Sequence, residues 1–373
     1  MTTHMETRIE RVRKKIHDSD MDTLMILTDE NRRYLSGFTG EDSQFDESAG
    51  ALLITKDKLV FATDSRFTEQ AKNESPLFDV YCYKTGLAKE LNNILSTLGT
   101  QRLGYESKRL TCYQHQAMTE TLISNQSSVV MVPADQILEN LRIIKDETEI
   151  DQIRRSLAIS ENAFTEIKKQ IKPDDTEKQL AWKLEQIIRN LGAESLSFPS
   201  IVAVGPNSAL PHAIPGDRKI NTGAQLLFDW GAILNAYCSD ITRTLFIGKP
   251  DDTFKTVFQT VLDAQEKAIQ NIRSGVSGKH IDSIARTHIE NMGYKGFFGH
   301  GLGHGVGLAV HEPPRLSPIK DDTLLSGMVV TVEPGIYIPG WGGVRLENLI
   351  VVRDDGAEVL NTLDCLDYIF NIS

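Results

Sequence analysis

The sequence predicts an α+β protein of two domains, a smaller α/β domain over residues 1–138 and a larger domain over residues 139–373. Three observations support this prediction. The chain has 373 residues, whereas single domains usually contain roughly 100–200 residues. Apolar strand-like segments and amphipathic helical segments alternate as far as Pro133. A long charged helical pattern then begins, and polar residues interrupt the β-rich segments that follow it.

The N-terminal domain opens with an amphipathic helix over residues 5–19, because Ile9, Val12 and Ile16 recur at helical spacing between charged residues. Short apolar runs predict its strands, and a second helical pattern predicts a further helix. The predicted strands cover 24–27, 51–54, 59–62 and 129–132, and the further helix covers 87–98.

The C-terminal domain is predicted to open with the charged helix between about 134 and 172, which Pro173 separates from the next helix. Asp146 followed by Glu149, and Thr176 followed by Gln179, have the spacing of capping boxes. The remaining elements follow from periodicity. Helices are predicted at 176–191, 252–273 and 280–291, and strands at 201–204, 225–230, 241–247, 329–333 and 344–352.

The charge and the apolar runs argue against two classes of partner. The formal net charge is -11 at pH 7, and no basic stripe marks a surface for nucleic acid. No apolar run approaches the roughly 18 residues that span a bilayer. We therefore expect neither a nucleic-acid partner nor a membrane partner.

The cysteines indicate a reducing compartment. They lie far apart and form no CxxC pair, which predicts reduced thiols in a cytoplasmic protein. A nucleophilic cysteine is the alternative, although cysteine is often simply a small buried residue. The four residues are Cys82, Cys112, Cys238 and Cys365.

The segments FDWG and SDIT place Asp229 and Asp240 within apolar strand sequence. A tight turn at Leu234 and Asn235 would make these acids direct cross-strand neighbours, with β-carbons about 5 Å apart. Two adjacent buried carboxylates cannot both stay ionised without a cation, and oxygen ligands suit a divalent metal. The alternative is that both acids are exposed on an edge hairpin or paired with Arg243.

Glu333 and Glu347 repeat this pattern in the segments TVEPG and VRLEN. The two acids are equidistant from Gly340, which lies in a turn signal between Pro339 and Trp341. Two hairpins that each offer a pair of inward carboxylates predict a shared metal site.

The segment HGLGHGVGLAVHE contains His300, His304 and His311, which are three of the nine histidines. Its glycines let the backbone approach its neighbours closely. An imidazole supplies the nitrogen ligand that favours manganese, cobalt, iron or zinc over calcium or magnesium. A lone histidine would more often be structural, but this cluster accompanies four candidate carboxylates.

In this order and spacing, the segments FDWGA, SDITRT, HGLGHGVGLAVHE, TVEPGIY and GVRLEN resemble the pita-bread metallopeptidases. The resemblance is to the proline-directed branch, which contains aminopeptidase P and prolidase. Residues 31–38 (NRRYLSGF) and 63–67 (TDSRF) resemble the N-terminal domain of that branch. The resemblance therefore covers essentially the whole chain. It implies a C-terminal pita-bread (creatinase/aminopeptidase) fold and a smaller creatinase-like α/β domain before it.

The resemblance implies five ligands for two divalent metal ions. Asp240 and Glu347 would bridge the two ions, Asp229 would complete one site, and His304 with Glu333 would complete the other. Manganese is the expected metal, with cobalt, zinc or iron as alternatives. All five residue types are present without substitution, which disfavours a metal-free, creatinase-like relative.

The resemblance also implies catalytic roles for three residues. His212 and His311 are candidate donors to the tetrahedral oxyanion that forms during hydrolysis. Glu333 is a candidate carrier of the proton from the nucleophile to the leaving proline nitrogen.

Three further residues are expected to contact the substrate. His300 would line the pocket, and Arg345 would pair with the bridging acids or with the substrate. Arg315 resembles a residue that binds the carboxylate of short substrates in some relatives. A structural salt bridge is the alternative for Arg315.

The expected function is that of an Xaa-Pro aminopeptidase acting on short proline-containing peptides through a hydroxide that bridges the two metals. The alternative is a prolidase, which accepts only Xaa-Pro dipeptides and shares every ligand. Methionine aminopeptidases are disfavoured because they usually lack the N-terminal domain. A non-catalytic binding relative is a remote alternative, since such relatives typically lose ligands.

The resemblance further implies a homodimer in which the N-terminal domain of one chain approaches the active site of the other. The polar, acidic segment from Gly40 to Gly50 is longer than the connection expected after residues 37–40. It could reach across such an interface or be an ordinary solvated loop.

Overall fold

The computed structural model describes residues 2–42, 44 and 47–371. The chain divides into two compact units, Met1–Leu141 and Arg142–Ser373. This division lies close to the one predicted between residues 138 and 139. Ser43, Phe45 and Asp46 lie outside the described residues, so the role of the segment from Gly40 to Gly50 stays a prediction.

The first unit is an α/β domain around one mixed sheet of order β4-β3-β2-β1-β5-β6. Strand β2 is antiparallel to both of its neighbours, and the other pairs are parallel. Its strands are β1 (Thr23–Ile26), β2 (Ala51–Thr55), β3 (Leu59–Thr63), β4 (Asp79–Cys82), β5 (Arg102–Tyr105) and β6 (Val130–Pro133). Its helices are α1 (Thr2–His17), α2 (Asp29–Ser36), α3 (Thr68–Glu74), α4 (Leu87–Leu98), α5 (Cys112–Ser124) and α6 (Ile137–Arg142), the last ending at the division.

Buried polar residues tie helix α2 to the end of strand β1. The Glu106 carboxylate accepts hydrogen bonds from the backbone N–H groups of Leu27 and Thr28, at 2.6 and 2.8 Å, and from the amide of Asn31. Arg32 is fully buried and donates to the carbonyl of Leu27 at 2.6 Å. Asn31 and Arg32 therefore serve the packing of this unit.

The second unit alternates long helices with short strands. Its helices are α7 (Glu147–Lys168), α8 (Glu177–Asn190), α9 (Asp252–Asn271) and α10 (Gly278–Ile289), with a 3₁₀ turn at Gly205–Ala209 and a π-helical turn at Glu290–Tyr294. Its first strands are β7 (Ser195–Leu196), β8 (Ile201–Val204), β9 (Gln225–Trp230), β10 (Ala232–Leu234), β11 (Tyr237–Cys238), β12 (Ile241–Ile247) and β13 (Gly303–Gly305). The others are β14 (Glu312–Leu316), β15 (Val329–Val332), β16 (Gly335–Ile338), β17 (Gly342–Arg345), β18 (Asn348–Val352), β19 (Ala357–Val359) and β20 (Ile369–Phe370).

Two layers of helices cover the sheets of this unit. The main sheets have the orders β20-β12-β9-β8 and β14-β13-β15-β18-β19. Because side chains alternate along a strand, Val329 and Val351 pack in one core with α7 and α8. Val330 and Val352 pack in a second core with α9 and α10. The α+β architecture predicted from the sequence is confirmed.

One predicted strand is wrong in its continuity. The segment 344–352 is divided into β17 and β18, and Leu346 and Glu347 lie in the break. Both predicted capping boxes form, at Asp146 with Glu149 and at Thr176 with Gln179. Among the described residues, no helix combines the length and the apolar composition that crossing a membrane requires.

The cap of α7 generates a test of this fold. The Asp146 carboxylate accepts from the N–H of Glu149 at 2.9 Å, and the Glu149 carboxylate accepts from the N–H of Asp146 at 3.0 Å. We expect Asp146→Ala to lower the free energy of unfolding by about 0.5–2 kcal/mol, because N–H groups of the first turn lose their partner. Urea unfolding followed by tryptophan fluorescence reports this, since all three tryptophans follow residue 142.

The matched control is Asp151→Ala, which removes a half-exposed acid from the same helix without touching the cap. An equal loss of stability in the two variants would contradict the capping role.

Candidate metal centre and substrate cavity

The hairpin that carries Asp229 and Asp240 has a different register from the predicted one. Strand β9 pairs with β12 so that Thr242, and not Asp240, lies opposite Asp229. The turn residues are Asn235 and Ala236, with φ of 49° and 72°, because Leu234 pairs with Tyr237. The predicted turn at Leu234 and Asn235 is therefore wrong.

Asp240 lies in a break between β11 and β12. The N–H of Ser239 donates to the carbonyl of Ala232 at 2.9 Å, and a β-carbon on Gly231 would lie 2.0 Å from the carbonyl oxygen of Ser239. Only glycine permits this close approach. The irregular backbone brings the Asp240 carboxylate near Asp229 without direct cross-strand pairing.

The second hairpin has the predicted register. Gly335 lies opposite Arg345 in the β16–β17 ladder, and the turn contains Gly340 with a φ of 80°. Beyond a break, the pairing resumes between β15 and β18. Glu333 and Glu347 occupy this break on the two arms of the hairpin. Their side chains therefore need not alternate between the two faces of a sheet, as they would in a regular ladder.

Strand β13 places His304 beside these carboxylates. A β-carbon on Gly303 would lie 2.0 Å from the carbonyl oxygen of Thr331, so a larger residue would push β13 away from β15. The Nδ1 atom of His304 lies 3.1 Å from the carbonyl oxygen of Gly305. The other ring nitrogen, Nε2, faces the carboxylates and lies 3.3 Å from Glu333 and 3.6 Å from Asp240.

The structure brings the five predicted metal ligands together in overlapping groups. Asp229, Asp240 and Glu347 form one group, and His304, Glu333 and Glu347 form another. Within each group the ligand atoms lie within 4.8 Å of one another. Four carboxylates and one imidazole are a donor set that suits divalent transition metals.

The electrostatics of this cluster favour a cation. Burial and the repulsion of neighbouring carboxylates raise the pKa of Asp240 and the pKa of Glu347 well above their usual values. Burial also acts on Glu333, but the hydrogen bond and charge of His304 hold its pKa at about 2. The Oδ1 atom of Asp229 is buried and has no hydrogen-bond partner among the described residues. These residues therefore fit a pair of divalent ions.

Arg345 is buried beside the cluster, and its ion pair is with Asp229. Among the described residues, Arg345 forms no ion pair with Asp240 or Glu347, and a contact with the substrate stays a prediction. Arg345 also donates to the hydroxyl of Thr242 at 3.1 Å, and this hydroxyl donates to Glu347 at 2.7 Å.

Tyr337 was not predicted from the sequence. Its hydroxyl lies 2.8 Å from both Arg345 Nη1 and His300 Nε2, so it links His300 to Arg345. Burial raises the pKa of Tyr337 to about 12, which keeps its proton available for hydrogen bonding. Its position four residues after Glu333 in one hairpin is a signal that could have identified it.

A cavity of about 540 Å³ opens onto the cluster. Its wall includes all five candidate ligands and apolar residues such as Phe198 and Ile201. The other predicted site residues also line it, namely His212, His300, His311, Arg315 and Arg345. Every candidate residue therefore faces one cavity.

Two imidazoles in this cavity, those of His300 and His311, have lowered pKa values and are therefore neutral at pH 7. The His311 ring lies 4.3 Å from the His304 ring, and burial together with the charge of His304 lowers the pKa of His311 to about 4. Burial also lowers the pKa of His300. A neutral imidazole still has one N–H to donate.

The guanidinium group of Arg315, unlike that of Arg345, has no side-chain partner within the described part of the chain. No hydrogen bond or ion pair engages it among the residues that the structure describes, and the side chain faces the cavity. The neighbouring acid Glu312 is instead buried against Arg142 and Lys145, at 2.6 and 2.5 Å. A structural salt bridge to Arg315 is thus not present within the described part of the chain.

Two family models match this chain. The model described as metallopeptidase family M24 matches residues 151–354, and the creatinase/prolidase N-terminal domain matches residues 8–144. A protein of Pyrococcus furiosus named Xaa-Pro dipeptidase is 34% identical over 95% of this chain and 98% of its own length.

Solved structures show the same relationship. An Xaa-Pro dipeptidase from Bacillus anthracis superposes with a TM-score of 0.91 at 37% identity, over 98% of this chain and 99% of that one. An X-Pro aminopeptidase from Thermotoga maritima gives a TM-score of 0.89 at 37% identity, with the same coverage. The chain therefore belongs to metallopeptidase family M24, with a pita-bread catalytic domain preceded by a creatinase/prolidase N-terminal domain.

Proposed function

We propose that this peptidase is an Xaa-Pro dipeptidase, which hydrolyses the bond between an N-terminal residue and a C-terminal proline. The observation that carries this proposal is the unpaired guanidinium of Arg315 in the cavity of the carboxylate cluster. A dipeptide has a free carboxylate directly after proline, and an unpaired arginine can bind it through charge-assisted hydrogen bonds.

The comparisons support the dipeptidase better than the aminopeptidase that the sequence led us to expect. Curated relatives at 34% identity carry the name Xaa-Pro dipeptidase, and so does a solved structure at 37% identity. The structure of the Thermotoga maritima X-Pro aminopeptidase keeps the longer substrate as the competing possibility.

We propose Asp229, Asp240, His304, Glu333 and Glu347 as ligands of two divalent ions, with Asp240 and Glu347 shared between them. Glu347 belongs to both donor groups described above, which supports a shared role. When bound, such ions lower the pKa of a water molecule and polarise the scissile carbonyl. Manganese is our proposed metal, with cobalt, zinc or iron as alternatives.

The other cavity residues position the peptide and move protons. His212 and His311 donate to the oxygen of the scissile carbonyl as negative charge develops on it. Glu333 carries a proton to the nitrogen of the leaving proline. Because the peptide nitrogen of proline has no hydrogen, the site recognises the ring and the termini instead of a backbone donor.

His300 and Arg345 belong to this proposal as well. Hydrogen bonds join the hydroxyl of Tyr337 to His300 and to Arg345, so these three residues form one hydrogen-bonded group in the cavity wall next to Asp229. We propose that His300 contacts the substrate and that Arg345 acts chiefly by orienting Asp229. A homodimer in the cytoplasm remains our proposal for assembly and compartment.

The proposal predicts that the enzyme cleaves Xaa-Pro dipeptides and not longer peptides. We expect efficient hydrolysis of Leu-Pro and little hydrolysis of Leu-Pro-Gly with manganese supplied, because a third residue removes the carboxylate from the reach of Arg315. Product release measured by chromatography checks this. Comparable turnover of the tripeptide would instead establish the aminopeptidase.

Replacing Arg315 tests the carboxylate contact itself. We expect Arg315→Ala to raise KM for Leu-Pro by roughly 10- to 100-fold, since a hydrogen bond to a charged group contributes about 1.5–3 kcal/mol. Steady-state kinetics measure the change. Arg189→Ala, at a half-exposed position on α8, is the control and should leave KM unaltered. An unchanged KM in Arg315→Ala would reject the contact.

The shared carboxylates give the third prediction of this proposal. We expect Asp240→Asn and Glu347→Gln each to lower kcat/KM by more than about 100-fold, a larger loss than that from changing a residue that only hydrogen-bonds to a metal ligand. Each should also abolish the rise in melting temperature that manganese causes in the wild-type protein.

Asp263→Asn is the matched control, because Asp263 is a partly exposed acid on α9. It should retain both activity and thermal stabilisation by manganese. Wild-type turnover in Asp240→Asn or in Glu347→Gln would refute the shared-ligand assignment.

A further inference from the structure

Glu177 is a completely buried acid outside the carboxylate cluster. It is the first residue of α8, and its side chain is 0% exposed. No lysine or arginine forms an ion pair with it among the residues that the structure describes. A buried carboxylate without a cation is costly unless N–H groups solvate it, so the partners of Glu177 reveal what it does.

The partners come from both ends of one segment. Oε1 accepts from the N–H of Val204 at 2.8 Å, and Oε2 accepts from the N–H of Gly216 at 2.9 Å. The side-chain amide of Asn207 donates to both oxygens at 2.9 Å. The first turn of α8 also favours a negative charge at this point. Glu177 therefore joins the two ends of the segment 204–216.

This segment forms one wall of the substrate cavity. Five consecutive residues of it, 211–215, line the cavity, and exposed His212 is the second of them. Pro211 and Pro215 have no N–H, which limits the hydrogen bonds that the segment can make for itself. In its middle, the carbonyl of Pro211 accepts from Arg345 at 3.2 Å.

We propose that Glu177 is a positioning residue that holds His212 against the carboxylate cluster by closing the segment 204–216. The inference rests on the proposed function, because it assigns His212 to peptide hydrolysis. Without the carboxylate, the segment would sample more conformations, and His212 would spend less time within reach of the scissile carbonyl.

The decisive variant is Glu177→Gln, which keeps the shape of the side chain but turns an NH₂ group toward N–H donors. We expect faster hydrogen exchange in peptides covering 204–216 and a loss in kcat of roughly 10- to 100-fold. Binding of manganese should be unchanged, because Glu177 contacts none of the five candidate ligands.

Glu161→Gln is the matched control. Glu161 is also buried and accepts from the N–H groups of Thr362 and Leu363, at 2.8 and 3.0 Å, away from the cavity. This variant should lose stability and increase exchange around residues 361–363, while kcat stays at the wild-type value.

A double-mutant cycle separates positioning from general destabilisation. If Glu177 acts through His212, Glu177→Gln should change kcat less than about twofold in a His212→Ala background. An equal loss in both backgrounds, or no loss in the wild-type background, would overturn the proposal. If Glu177→Gln does not fold, Asn207→Ala can replace it in the same double-mutant cycle, because this variant removes the side-chain amide that donates to Glu177.

The activity of the wild-type protein distinguishes a failure of the proposed peptidase function from a failure of the anchoring role of Glu177. If wild-type protein hydrolyses no Xaa-Pro peptide, the proposed function fails, and hydrogen exchange alone decides the anchoring role of Glu177. Unchanged exchange over residues 204–216 in Glu177→Gln would then reject that role as well.

Discussion

Repulsion among four clustered carboxylates, two of them buried and two partly buried, is the constraint on which the site depends. Asp229, Asp240, Glu333 and Glu347 converge on one volume, where burial favours their neutral forms and a divalent cation would favour their charged forms. Arg345 pairs with only one of them, and the imidazole of His304 approaches two. The protein alone thus supplies less positive charge than the cluster can accept.

Asp229 lies within strand β9, whereas the other three carboxylates lie where the regular strands are interrupted. Asp240 lies in the break between β11 and β12, and Glu333 and Glu347 occupy the break between two ladders of the second hairpin. Glycines at 231 and 303 allow carbonyl groups within 2.0 Å of where a β-carbon would be. Around the breaks, two apolar cores hold the strands rigidly, so the ligands have few alternative positions.

Much of this arrangement could be predicted from residue patterns. The hairpin centred on Gly340 has a clear turn signal, and its predicted register is correct. The other hairpin turns at Asn235 and Ala236 in left-handed conformations, which asparagine favours but alanine rarely adopts, so its predicted register was wrong. Glu177 was missed because its backbone partners lie 27 and 39 residues away in sequence. Tyr337 was missed because its hydroxyl joins Arg345 to His300, and only the fold brings these two residues together. An acid in the first turn of a helix, such as Glu177, otherwise suggests only a favourable helix dipole.

The most direct test of the central claim is a count of metal ions bound to the chain. Native mass spectrometry of metal-stripped protein titrated with manganese should show up to two ions per chain, because the five donors form two groups that share Glu347. Retention of catalytic activity by protein that binds no divalent ion at any concentration would contradict the claim that these clustered carboxylates form a metal centre.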